Sequence, residues 1–230
     1  MSFTLDSVRL APRTQRRIVS ATWVLAWFGL VAGQLHALAR HATVAGRDDL
    51  DQPLTRAWSV PASEALAPRL TWSDPQTVYV TYGRLWIPVY VASALCAFVV
   101  RRHRRPGRLE AWGWRAYLTG AVLMALQVTI GYLTPWTDEA FVLLAIPAVV
   151  LTVVGAPLLG VALLRAGFRP RVTTWVLVLW LPLFLAITSV TSMGTGGLPA
   201  AFAWAFAAGR LLRRDAEGAQ EAPAVQPVRG

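Results

Sequence analysis

Apolar residues along this chain gather into long runs instead of alternating with polar ones. Six of the runs approach the roughly 20 residues that a helix needs to cross a hydrocarbon core of about 30 Å. They are residues 18 to 39, 78 to 100, 116 to 133, 140 to 164, 173 to 190 and 198 to 212. The last is the shortest and ends on Arg210, whose aliphatic stem can carry its charge toward headgroups. The pattern predicts an all-α polytopic transmembrane bundle of about six spans, forming one domain over residues 1 to 214. Residues 215 to 230, "DAEGAQEAPAVQPVRG", are polar and rich in Pro, Gly and Ala, so a disordered cytoplasmic tail is expected there.

The polar stretches between runs are short, except for residues 40 to 77. Loops of that length are usually functional or disordered. This one carries Trp58, Trp72 and the helix-like "PASEALAPRL", which predicts one short helix at the membrane surface. In "SDPQTVYV" Ser73 or Asp74 is placed to cap a helix, with Pro75 in its first turn. Within the runs, Pro88, Pro147, Pro157 and Pro182 each lack a backbone donor and are expected to kink their helices. A second reading exists for the first run. "RRIVSATWVL" followed by "ALA" resembles a cleavable signal with a twin-arginine start, but the apolar region exceeds the usual 7 to 15 residues, which favours a retained helix.

Composition agrees with a membrane setting: 55% of the 230 residues are apolar and only 15% charged, against roughly 25% charged in soluble domains. All 22 basic residues are arginine, and lysine and asparagine are absent. That bias reads as the mark of a GC-rich bacterial genome, and it excludes Asn-linked glycosylation. The single cysteine, Cys96, lies inside an apolar run and has no partner for an intramolecular disulfide.

A net charge of +10 and a pI near 11.2 raise the question of nucleic acid, most sharply at "RRHRRPGR", residues 101 to 108. The distribution of arginine answers it. With the N-terminus inside, four arginines before the first run, six in the 101 to 115 loop, Arg165, Arg169, Arg171, Arg210, Arg213, Arg214 and Arg229 are cytoplasmic. Arg40, Arg47, Arg56, Arg69 and Arg84 are left outside, where seven acidic residues oppose them. This is the positive-inside asymmetry of an even number of spans with both termini inside the plasma membrane. The expected partners are the bilayer, anionic headgroups at the cytoplasmic arginines, and other membrane proteins or a homodimer. Nucleic acid is not among them.

Candidate chemistry is sparse. Gly29 and Gly33, four apart, offer a seam for close helix packing. His36 follows on that face near the outer boundary. It has no histidine on a second span to share a haem, and no cofactor is expected. His36 or His41 with Asp48, Asp49 and Asp51 matches no defined metal-ligand spacing, so no metal site is assigned. Gln127 shares a face of the third run with Tyr117, Gly120, Met124 and Gly131, where an interhelical hydrogen bond or a place in a substrate path is open to it. A candidate polar cluster gathers at the external end: His36, Tyr79, Tyr82, Arg84, Tyr132, Asp138 and Glu139, with Thr188, Ser189, Thr191 and Ser192. Arg84 is expected to pair with Asp138 or Glu139, because a guanidinium at the hydrocarbon edge seeks an anion. Trp58, Trp72, Trp86, Trp112, Trp114 and Trp136 fall in or beside loops and read as interfacial anchors.

The stretches "TRAWSVPA", "TWSDPQTVYVTYGRLW" and "YLTPW" resemble those of multi-pass membrane proteins of GC-rich actinobacteria. The resemblance covers most of the spans and the outer loop. It implies an architecture and transfers no catalytic residue. No Walker, HExxH, kinase or nucleophile-elbow motif is present. The first functional expectation is therefore a non-catalytic scaffold or accessory membrane subunit, the second a small transporter or channel, and the third an enzyme working at the external face.

Overall fold

The computed structural model describes residues 10 to 221, and every regular element among them is helical. Among the described residues four helical stretches are long and apolar enough to cross a membrane: Pro12–Ala42, Pro75–Arg102, Arg108–Leu133 and Phe141–Arg165. A bent pair, Arg171–Val178 and Trp180–Thr188, supplies a fifth if it is one broken span. Helices of this length and composition make the chain a membrane protein.

In chain order α1 (Pro12–Ala42) leads through a 3-10 helix, Val44–Asp51, to α2 (Pro53–Ala65) and the short α3 (Ala67–Leu70). Next come α4 (Pro75–Gly83), α5 (Trp86–Arg102), α6 (Arg108–Leu133), α7 (Thr137–Ala140), a π turn at Phe141–Ala145 and α8 (Ile146–Arg165). The described residues end with α9 (Arg171–Val178), α10 (Trp180–Thr188), α11 (Met193–Gly196) and α12 (Leu198–Glu221). The long loop thus holds two helices and a 3-10 segment instead of one helix.

Proline accounts for three of the irregularities. Pro182 has no N–H for the Val178 carbonyl and its ring would strike it, so the run 173 to 190 is interrupted, in line with the kink expected at this proline. It breaks at Leu179 and bends by 69°. Pro88 cannot bond the Arg84 carbonyl, which accepts from Ile87 N–H instead, at 3.2 Å, where α4 passes into α5. Pro147 leaves Leu143 without its donor, and the preceding turn widens so that Ile146 N–H reaches back to Phe141 O. Pro157 lies inside α8 without ending it.

Glycine lets α6 and α8 approach closely. A methyl added at Gly113 would lie 2.9 Å from Leu159 Cα, and one at Gly155 2.6 Å from Tyr117 N, so α6 and α8 touch backbone to backbone. Around α1, α5 and α12 the core is aromatic: Trp204 Nε1 donates to the Tyr117 hydroxyl at 2.6 Å, and Trp114 leans on Trp204. Two of the expected interfacial tryptophans, Trp86 and Trp114, are 1% exposed and belong to this interior, whereas Trp72, Trp112 and Trp136 are exposed. The correction has a simple cause. Helix α6 begins at Arg108, eight residues before the expected start, which turns Trp114 inward, where Glu110 accepts its N–H at 3.1 Å. The Glu110 carboxylate also takes Arg104 Nε and Nη2, each at 3.0 Å. At the other end of the chain α12 continues through Glu221, so residues 215 to 221, expected to be disordered, are helical. Alanine, glutamate and glutamine favour helix there, and Asp215 is held by His103 Nε2 at 3.1 Å. Residues 222 to 230 lie outside the described residues.

Candidate functional site

The site grows from a slot in α1. Gly29 and Gly33 leave room for the Trp86 ring: a methyl at Gly33 would stand 2.6 Å from Trp86 Cζ2, and one at Gly29 3.3 Å from Cζ3. Gly194 closes on the same indole, where a methyl would overlap it. Held between them, Trp86 Nε1 donates to His36 Nδ1 at 3.1 Å. An indole is a donor only, so Nδ1 is unprotonated and the neutral ring carries its hydrogen on Nε2. Nε2 lies 2.9 Å from the Tyr132 hydroxyl, which lies 3.4 Å from the Tyr79 hydroxyl. The Tyr79 ring stacks on the imidazole with centroids 4.8 Å apart, and Gly83 makes space for the Tyr132 ring. His36 is 3% exposed.

These groups form one wall of a cavity of about 720 Å³ between α1, α5, α6, α8 and α10, within the range of small-molecule sites. At its polar end Arg40, one helical turn beyond His36, bonds through Nε to Asp49 Oδ2 at 2.6 Å, with Gln52 and Thr55 alongside. The long loop roofs this end. Thr55 Oγ1 donates to Ser189 O at 3.1 Å and Trp58 Nε1 to Val190 O at 2.6 Å, which ties α2 to the end of α10. Deeper walls are apolar, from Met124, Val128, Val149 and Phe184. Gln127, six residues or about 9 Å before the end of α6, is the amide among them. Among the described residues its side chain has no hydrogen-bond partner. Phe141, Ile146 and Val150 also line the cavity and are 46%, 49% and 57% exposed, so it reaches the apolar flank of the bundle.

The candidate residues divide accordingly. His36 and Gln127 line the cavity, and Gly29 and Gly33 shape the slot that positions His36. Tyr82 points away, its hydroxyl donating to Arg69 O at 2.8 Å and so tying α4 to the loop. Arg84 is exposed and donates through Nε to Tyr132 O at 3.3 Å. Of its two expected partners, Asp138 has a side chain outside the described residues, and Glu139 is exposed. Sequence reasoning missed Arg40 and the role of Trp86. The spacing of Arg40, four residues after His36 on one helix face, was the available signal.

A smaller cavity of about 320 Å³ lies beneath α2, lined by His41 and Ser59. His41 Nδ1 and Ser59 Oγ are buried without a partner among the described residues. No group of three His, Cys, Asp or Glu side chains converges among the described residues as a metal site would require. Fold and site together define a helical membrane protein with an internal, loop-roofed cavity. Compared with family models, curated proteins and solved structures, the chain shows no match.

Proposed function

We propose that this chain is a plasma-membrane protein of six spans with both termini cytoplasmic and residues 40 to 77 outside, and that it binds an amphipathic molecule in its cavity as a non-catalytic subunit. The arginine asymmetry supports the orientation. The observation that carries the binding role is the form of the cavity. One end gathers His36, Arg40, Asp49 and Tyr79 under the loop, and the other opens among Phe141, Ile146 and Val150 on a lipid-facing flank. A molecule with a polar head and an apolar tail matches both ends.

Binding is favoured over catalysis because His36 has both ring nitrogens engaged and so offers no free base. The bent α9–α10 pair favours a second reading, a small carrier, since Phe184 and Thr188 of α10, the helix that follows the break, border the cavity. The test is native mass spectrometry of protein purified from its own membranes, alongside a Val149→Trp variant that fills the cavity. One bound amphiphile per chain, lost in the variant, is expected. Unliganded wild-type protein, or equal occupancy in both, overturns the reading. Flux of the recovered molecule across proteoliposomes distinguishes a carrier from a binder.

A further inference from the structure

We infer that the cavity selects an uncharged amphiphile whose head presents a hydrogen-bond acceptor, a carbonyl or ester oxygen, to a phenolic hydrogen of the Tyr79 and Tyr132 pair. The inference rests on the amphiphile reading and names the chemistry of the head.

The argument is a count of hydrogens. Trp86 donates to His36 Nδ1, so the only hydrogen on the imidazole nitrogens is on Nε2 and points at the Tyr132 oxygen, 2.9 Å away. Tyr132 must then direct its own hydrogen elsewhere. The two phenols share one contact, at 3.4 Å. If Tyr132 donates across it, the Tyr79 hydrogen is left over; if Tyr79 donates, the Tyr132 hydrogen is. Either way one phenolic hydrogen remains, and among the described residues no further acceptor takes it. Both tyrosines line the cavity, and an unmet donor in such a place is costly until a ligand or water accepts from it. Trp86, which lies in the core, thus gives the wall its donor character.

Charge narrows the head further. Arg40 is already bonded to Asp49 at 2.6 Å, so the pair presents no net charge to a ligand. His36 is neutral by the same geometry, and Gln127 deeper in the cavity is an uncharged amide. An anionic head would bring a second negative charge beside Asp49 to the one guanidinium of Arg40, and a cationic head would meet the like charge of Arg40.

The test uses the full chain in phosphatidylcholine nanodiscs and three tritiated probes of equal chain length: methyl dodecanoate, dodecyl phosphate and dodecyltrimethylammonium. Saturable binding is measured by scintillation proximity for the wild type and for the double variant Tyr79→Phe, Tyr132→Phe, which keeps both rings. The ester is expected to bind tightest to the wild type and to lose about three- to tenfold in the variant, the size of one net hydrogen bond. A charged probe binding tightest, or ester affinity unmoved in a folded variant, overturns the inference and leaves the amphiphile reading standing. Failure of all three probes to bind overturns that reading and the inference with it. The ranking on the wild type decides even if the variant does not fold.

Discussion

The indole N–H of Trp86 meets Nδ1 of His36 at 3.1 Å, and this one bond couples the core of the bundle to the chemistry of its cavity. The glycines of α1 hold the indole, the indole fixes the tautomer of His36, and His36 orients Tyr132.

We predict that Trp86→Phe destabilises the protein by about 1 to 3 kcal/mol, because it strands a nitrogen of a buried imidazole. Unfolding in mild detergent measures the loss. Nitrogen-15 spectra of the histidines, with His36→Gln to identify the signal, should show His36 as the Nε2–H form in the wild type and a mixture in the variant. An unchanged His36 signal would separate Trp86 from the tautomer.

Gly33→Leu is expected to cost about 1 to 3 kcal/mol by overpacking, since even a methyl there would stand 2.6 Å from the Trp86 ring. Gly218→Ala is the control. It lies in α12 with nothing within 4 Å of an added methyl, so helix propensity should make the change neutral or stabilising by up to about 1 kcal/mol. Equal melting temperatures for the two variants would count against the slot.

At the opposite end of the bundle, Glu110→Ala leaves Arg104 and Trp114 without their shared acceptor. The Arg104 side chain is 22% exposed, so we expect a loss of about 2 to 3 kcal/mol, below the range for a fully buried broken pair. Glu110→Gln keeps one acceptor oxygen and should lose less. Chemical denaturation of the two variants checks the order.

Asp74 caps α4 by accepting from Thr77 N–H at 3.0 Å. The hydrogen bonds from Thr77 hold its carboxyl below the ordinary aspartate value of 3.8. A folded-state value that is depressed contributes stability above the ordinary value and loses it as the pH falls through the folded one. The Thr77 amide should therefore exchange faster in Asp74→Ala at neutral pH, and the difference between variant and wild type should vanish in strong acid. A difference that persists there would mean that the cap does not depend on the charge.

Topology is tested by reporter fusions at residues 60 and 105. Opposite sides are expected from the arginine asymmetry, and the same side for both would remove the proposed orientation.

Much of the architecture was legible because a bilayer imposes a one-dimensional rule: a span is a run of apolar residues of set length, wherever its neighbours lie. That rule reaches the helical class and the membrane setting. It does not see where a helix continues into water, so Trp114 and residues 215 to 221 were misplaced. Proline marked the breaks at Arg84 and Leu179 in advance, since a missing donor is a local property, but the 69° bend depends on what α9 and α10 pack against. Gln127 stood out in the sequence because polar groups at depth are rare, and His36 because it follows the glycine pair on one face near the outer boundary. Tyr79 and Tyr132 were placed with His36 at the external end, whereas Trp86, fifty residues from His36, was read as an interfacial anchor. Only the packing of α1, α5 and α6 brings His36, Trp86 and Tyr132 together. The direction of each hydrogen bond between them follows from donor geometry, which no apolar pattern encodes.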